Sequence, residues 1–284
     1  MEAEQWTASL NTYVFPVIGR MAVDKIDTDH VLRVLKPIWA TKHETASRIR
    51  GRIERILSWA KAKNLRNGGE NPARWKNHLE HLLAAPNGVK KVEHHPAVAV
   101  KDIPKFMAKI RACPRVSARA LEMLCLTATR TDEIRSATFG EIDVEAKVWI
   151  IPAARTKTGK RAKNPEPHIV PLSDRAVEIV EQQRATAKDA TGYIFVGGRT
   201  GGRMGVNQMN KAMMDVNGRG PVPHGLRSSF RDWCGENGYP RDLAELSLSH
   251  AVGSKVERAY RRSTLVEQRR AIMDEWAKYC DGQA

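Results

Sequence analysis

The chain has 284 residues, of which 42% are hydrophobic and 28% charged, the make-up of one large or two smaller folded domains rather than of a disordered polypeptide. No apolar run approaches the roughly 20 residues needed to span a bilayer. Forty-seven Lys and Arg against 32 Asp and Glu leave a net charge of +15, which points to a polyanionic partner, because every phosphate neutralised releases condensed counterions.

The N-terminus, MEAEQWTASL, lacks the basic-then-apolar pattern of a secretion signal. Cys113, Cys125, Cys234 and Cys280 form no CxxC pair, which suits free thiols in a reducing, cytoplasmic setting. The histidines show no HExxH spacing, so neither a metal nor another cofactor is expected.

Residues 1–88 are almost wholly helical in pattern. DTDHVLRVLKPIWA predicts a helix with Thr28 or Asp29 as its N-cap and Pro37 near its end. In HETASRIRGRIERILSWAKAKN the residues Ile49, Ile53, Ile56 or Leu57, and Ala60 recur at helical spacing. Arg48, Arg50, Arg52 and Arg55 fall mostly between them, giving an apolar stripe with a basic remainder; these arginines are candidate DNA contacts. The stretch 72–83 is a candidate fourth helix. Residues 89–103 carry turn formers and prolines without helical period and read as a linker.

The remainder, 104–284, mixes patterns. Helices are predicted at 104–112 and 117–125, followed by β-type runs at KVWIIP, HIVPLS and YIFV. Between the first two runs, AARTKTGKRAKNPEP reads as a long basic hairpin loop. Helical patterns dominate 173–188 and everything from Val206 onward. GGRTGGRMG lacks the GK[ST] ending of a phosphate-binding P-loop and reads as a connector. The sum is a mainly α protein with a small antiparallel β-sheet (α+β).

Four blocks in 104–284 suit phosphate chemistry. TATRTDEI puts Arg130 and Glu133 one helical turn apart. RTKTGK puts Lys157 at the tip of the basic loop, with Lys160 nearby. HGLR puts His224 and Arg227 one turn apart, after Pro223 at a helix start. LSLSH and AYRR supply His250 and then Tyr260, among Arg258, Arg261 and Arg262. Taken singly each is ordinary: an Arg–Glu pair at i,i+3 contributes about 0.2–0.5 kcal/mol, a turn lysine is solvated, and a histidine ahead of a helix caps it.

Taken in order, R…K…HxxR…H…Y resembles the tyrosine recombinase (phage integrase) family through all its catalytic boxes. WTASLNTYVFPVIG and PHIVPLS are similar to stretches in integrases of prophages and genomic islands. The resemblance implies a helical core-type DNA-binding domain (1–88), a linker (89–103) and a catalytic domain with a C-terminal tail helix (104–284). Two positions depart from the family pattern: Ala128 and Ser249 stand where many relatives have glycine. Nothing in the chain matches the N-terminal arm-binding domain usual in this branch.

The implied chemistry is attack of the Tyr260 hydroxyl on a DNA phosphodiester, giving a 3′-phosphotyrosine bond. Arg130 and Arg227 would hold the non-bridging oxygens with planar, always-charged forks. His224 is the implied base, Lys157 the acid for the departing 5′ hydroxyl with Lys160 as the alternative, and His250 a further phosphate donor. Glu133 would brace Arg130 or His224. Arg258 and Arg261 are candidate DNA contacts beside the nucleophile.

Implied partners are double-stranded DNA carrying attachment-type core sites, further copies of the chain in a tetramer on that DNA, and an excisionase or DNA-bending accessory protein. A bacterial or phage-encoded, nucleoid-associated protein is implied. The tail TLVEQRRAIMDEWAKYC, with Leu265, Ile272, Met273 and Trp276 on one face, would dock on a neighbouring copy or else on its own domain. Two other readings stay open: a type IB topoisomerase-like relaxase, which uses nearly the same residues as a monomer, and a non-catalytic DNA-binding regulator of the same fold. The regulator would have lost at least one catalytic group, and all are present in the sequence.

Overall fold

A computed structural model describes residues 2–66, 69–84, 96–156, 166–189, 192–197, 201–253 and 264–283. The chain divides into two compact units, residues 1–93 and 94–284. Lys157, Lys160, Arg258, Tyr260 and Arg261 lie outside the described residues.

The first unit is helical. Helix α1 (Glu2–Ser9) runs through a π-helical turn (Leu10–Val14) into the short α2 (Phe15–Ile18). Pro16, which has no N–H to donate, sits at the junction where the hydrogen-bond ladder changes step. Helix α3 (Thr28–Trp39) is capped by Asp27, not by Thr28 or Asp29: its Oδ1 accepts the His30 N–H at 3.0 Å. Helix α4 (His43–Ala62) buries Ala46, Ile49, Ile53, Leu57 and Ala60, so Leu57 rather than Ile56 takes the fully buried place.

The expected helix at 72–83 is not formed. Asn77 adopts a left-handed backbone, and only a 3-10 turn, Leu79–His81, follows. The stretch is pinned instead by side chains. Asn71 Nδ2 donates to the Glu54 carbonyl at 2.7 Å, Ala73 and Leu79 are buried, and Trp75 stacks on Trp39.

The second unit starts inside the predicted linker. Val98 is buried, Val100–Asp102 form a 3-10 turn and Ile103 is buried, so Val98 and Ile103 anchor this stretch to the second unit's core. Helices α5 (Ile103–Ala112), α6 (Val116–Thr127) and α7 (Thr131–Arg135) follow. Strands β1 (Ile142–Asp143), β2 (Val148–Ile151) and β3 (His168–Pro171) make a three-stranded antiparallel sheet, with Ile151 opposite His168. The basic loop therefore joins an antiparallel pair of strands. Helix α8 (Asp174–Thr186) precedes a small hairpin of β4 (Val196–Gly197) and β5 (Gly202–Arg203), so GGRTGGRMG is part of a paired ribbon rather than a plain connector. Helices α9 (Val206–Asn217), α10 (Gly225–Glu236), α11 (Arg241–Ser247) and α12 (Val266–Cys280) complete the unit.

Helix α12 decides one open question. Ile272, Met273, Trp276, Ala277 and Cys280 are buried in the core of their own unit. Trp276 Nε1 donates to the Cys125 carbonyl at 2.8 Å, and its ring meets Phe230 edge-on at 5.5 Å. The apolar face proposed for a neighbouring copy is already used in cis, and α12 is not available as a docking tail. Around α6, the fully buried Glu122 carboxylate is held by Arg111, Arg119 and Arg175, which ties α5, α6 and α8 together. A buried charge is tolerable when it is this fully paired.

Gly225, the first residue of α10, is closely approached by neighbouring backbone. A Cβ there would lie 2.3 Å from the Pro96 carbonyl oxygen and 2.9 Å from Ala97 Cα, both backbone atoms. The Pro96 carbonyl also accepts the Val222 N–H at 3.1 Å, so it cannot move aside freely. Gly225→Ala is expected to destabilise the second unit by about 3 kcal/mol, read as a shift in the urea midpoint. A Gly225→Ala protein that unfolds at the wild-type midpoint would show that this approach is not tight.

Candidate active site

Helix α6 ends at Ala128, whose backbone is left-handed (φ 48°) and whose side chain is fully buried. The chain then turns to make Arg130 the N-cap of α7. Glu133, at the third position of that helix, reaches back. One carboxylate oxygen accepts the Arg130 N–H at 2.7 Å and the other accepts Arg130 Nη1 at 3.0 Å. Glu133 therefore both satisfies an orphan helix donor and braces the guanidinium, the first of the two roles open to it.

Arg227 lies in the first turn of α10 and is 5% exposed. Its Nη1 donates to the Ala128 carbonyl and its Nη2 to the Leu248 carbonyl at 2.6 Å. Arg130 Nη2 faces the same Leu248 carbonyl at 3.4 Å and donates to the Ser249 carbonyl at 3.1 Å. The two forks, 97 positions apart in sequence by their residue numbers, thus meet at one carbonyl oxygen. Burial, then the charge of Arg130, lowers the Arg227 pKa to about 10, against the pull of Glu133 and Glu245. Arg227 stays a cation at neutral pH.

Leu248 caps the C-terminus of α11, and Ser249 follows in a left-handed conformation (φ 53°). The Ser249 N–H bonds the Leu246 carbonyl at 3.0 Å and the His250 N–H bonds the Glu245 carbonyl at 2.9 Å, the paired closure of a Schellman motif. This turn delivers His250 to the arginines: its Nε2 is 3.3 Å from Arg227 Nη2. Ala128 and Ser249 are thus both left-handed, and the carbonyl of each accepts from one of the two arginines. Alanine and serine hold a conformation there that costs an L-residue about 1–2 kcal/mol.

His224 is exposed at the N-cap of α10, three residues before Arg227 and on the same face of its first turn. In the first unit, Arg48 is exposed and paired with Glu44. Arg52 and Arg55 lie over the Trp6 ring at 5.5 and 5.8 Å. Arg50 is turned inward, donating to Glu54 at 2.6 Å and to the Ala73 carbonyl at 2.9 Å, which makes it a strut of the fold rather than a surface cation.

Sequence reading missed several neighbours. Glu245 accepts His250 Nδ1 at 2.6 Å and Arg231 Nε at 2.7 Å. Arg155, at the mouth of the basic loop, donates to the Glu133 carbonyl at 2.7 Å and pairs with Glu141. Arg269 of α12 is buried and donates from Nε to the Thr264 carbonyl at 3.0 Å. His168 opens β3, and its Nε2 is shielded from solvent without a hydrogen-bond partner among the described residues. The only sequence signal for these was spacing, such as Glu245 five residues before His250.

A sequence model of the phage integrase family matches residues 97–266, and one of the phage integrase central domain matches residues 1–78. The chain belongs to the phage integrase family. The integrase of Enterobacteria phage P4 is 31% identical over 96% of this chain and 63% of its own length. The prophage integrase IntA of Escherichia coli K12 is 31% identical over 95% of this chain and 62% of its own length. This integrase-family chain therefore spans less than two thirds of either relative. Its fold is similar to that of a Tn1549 transposon integrase in complex with transposon right-end DNA (TM-score 0.64, 14% identity, 98% of this chain and 94% of the other). A lambda integrase dimer bound to a core site is similarly alike (TM-score 0.62, 14% identity, 87% of each chain). No helix among the described residues is long and apolar enough to cross a membrane.

Burial lowers the His168 pKa from 6.5 to about 3, with the charges of Arg269, Arg130 and Arg227 acting in the same sense and the Ser247 backbone opposing. The folded state thus resists a proton that the unfolded chain accepts. The stability this neutral imidazole supplies is complete above pH 6.5 and is lost as pH falls from there toward 3. Between pH 7.5 and pH 5 the wild type should lose about 2 kcal/mol more than His168→Gln, measured by urea unfolding at each pH. Parallel losses in the two proteins would contradict the assignment.

Proposed function

We propose that this chain is the DNA-cleaving and rejoining segment of a site-specific recombinase that integrates or excises a mobile element. The observation that carries the reading is the convergence of Arg130 and Arg227 on one carbonyl, with His250 alongside. Such a cluster of fixed donors suits the charge that builds on the non-bridging oxygens of a phosphodiester under attack. Donors placed in advance of the charge commonly contribute about 3–4 kcal/mol each.

In the proposed reaction the Tyr260 oxygen bonds to phosphorus and the bond from phosphorus to the 5′ oxygen breaks. The phenol proton passes to His224. The departing 5′ oxygen takes a proton from Lys157, or from Lys160 on the same loop. The phosphodiester energy is kept in the 3′-phosphotyrosine bond, so a 5′ hydroxyl of another strand can reverse the step with no external energy source. The first unit would grip the duplex as a core-type DNA-binding domain, with Arg48, Arg52 and Arg55 as its contacts and Arg258 and Arg261 adding to them beside the nucleophile.

Assembly as a tetramer on attachment-type core sites is proposed from the likeness in fold to a lambda integrase tetramer bound to a Holliday junction (TM-score 0.61, 14% identity). With α12 packed in cis, such an assembly would need contacts other than that helix. An excisionase or DNA-bending accessory partner, a nucleoid location and cytoplasmic residence follow from the same reading. The cis packing of α12 also removes the tail-helix argument against a monomeric relaxase; family membership favours the recombinase.

On a nicked suicide substrate Tyr260→Phe should form no covalent adduct while gel-shift affinity stays within about twofold of wild type; an adduct in the variant would move the nucleophile elsewhere. Arg227→Lys should lower adduct formation by about a hundredfold or more, because a point charge cannot reproduce the fork, with little change in DNA affinity. Equal losses in cleavage and affinity would make Arg227 a phosphate anchor only.

A further inference from the structure

His250 is placed on the phosphate by the reading above, yet its surroundings constrain which of its nitrogens carries a proton. Glu245 Oε2 lies 2.6 Å from Nδ1. Burial works to raise the Glu245 pKa, but hydrogen bonds from Arg231 and His250 outweigh it and hold the group below the ordinary carboxylate range. An ionised carboxylate has only acceptors, so the hydrogen must sit on Nδ1. On the other side of the ring, Nε2 is 3.3 Å from Arg227 Nη2. A guanidinium has only donors, so Nε2 faces it as an acceptor. Both contacts select the same neutral tautomer, Nδ1–H with a lone pair on Nε2. The Glu245–His250 link is doubled by the backbone bond that closes the Schellman turn, and Arg231 fixes the other carboxylate oxygen at 2.7 Å.

We propose that Glu245, held by Arg231, is a positioning residue that sets the tautomer of His250, so that in the DNA-free protein the imidazole holds the Arg227 fork through its Nε2 lone pair. The charged groups around His250 are Glu245 from α11, Arg227 and Arg231 from α10, and Arg130, which is bonded to the adjacent Ser249 carbonyl. Three of the four are cations. Glu245 is the one anion in hydrogen-bond contact with the ring among the described residues. The geometry explains why a carboxylate is needed rather than any acceptor. An amide at 245 has one oxygen, which the Arg231 donor claims, so its NH₂ turns to Nδ1, forces the hydrogen onto Nε2 and sets donor against donor at Arg227.

This inference rests on the recombinase reading for its catalytic consequence, but its structural half can be measured without DNA. Nitrogen-15 NMR of the histidine rings in the DNA-free full chain, assigned by His250→Gln, should show His250 as the Nδ1–H tautomer in wild type. Glu245→Gln should invert it to Nε2–H. Adding Arg231→Leu to Glu245→Gln frees the amide to turn its oxygen to Nδ1, and should restore the Nδ1–H signature. In the suicide-substrate assay Glu245→Gln should lose at least about tenfold in adduct formation, because the imidazole then meets the Arg227 fork with a donor in place of an acceptor and displaces it, and the double variant should regain part of it. A wild-type His250 in the Nε2–H form, or a Glu245→Gln spectrum unchanged from wild type, overturns the assignment. If wild type forms no adduct, the recombinase reading fails while the tautomer result stands by itself.

Discussion

One carbonyl oxygen, that of Leu248, organises the second unit's site. It is an orphan acceptor at the C-terminal end of α11, where the last turn leaves its C=O groups without helical partners and the dipole is negative. Two guanidinium groups satisfy it in place of water. Like charges this close repel by a few kcal/mol at the intermediate dielectric of a partly buried site, about 3 kcal/mol at 5 Å and an effective constant of 20. The helix end, Glu133 and Glu245 offset that repulsion. What remains is a pair of guanidinium forks fixed in advance, the kind of arrangement that suits an oxyanion.

The backbone is bent to serve this arrangement. Ala128 and Ser249 each take a left-handed conformation, and each offers its carbonyl to one of the two arginines. A relaxed backbone at either position would swing the carbonyl away and leave a buried guanidinium partly unsatisfied, which costs more than the strain. Strain at these two residues and burial of Arg227 are therefore two sides of one arrangement.

Much of this was legible in the sequence, for identifiable reasons. Long periodic segments such as α3, α4 and α12 declare themselves because one face must be apolar. The residues that chemistry singles out, Arg130, Arg227, His224 and His250, could be picked from spaced blocks because their types and order are constrained together. The illegible parts were decided by single local choices. Asn77 going left-handed breaks the pattern at 72–83, and a buried Val98 turns a proline-rich connector into core. Glu245, Arg231, Arg155 and His168 were invisible because only the folded chain brings them to the arginines, and nothing in their immediate sequence distinguishes them from surface charges. Whether α12 would pack in cis or in trans could not be read from its amphipathic pattern, since both outcomes bury the same stripe.

The cis packing of that last helix fixes where the described chain resumes, at Thr264. Among the described residues, the chain is fixed at Ser249 and His250 by the Schellman turn and at Thr264 by its carbonyl, which accepts from Arg269 of a helix locked into the core. Any exchange of chain between copies would leave α12 behind in its own core, since Trp276 and Met273 cannot leave it without opening that core.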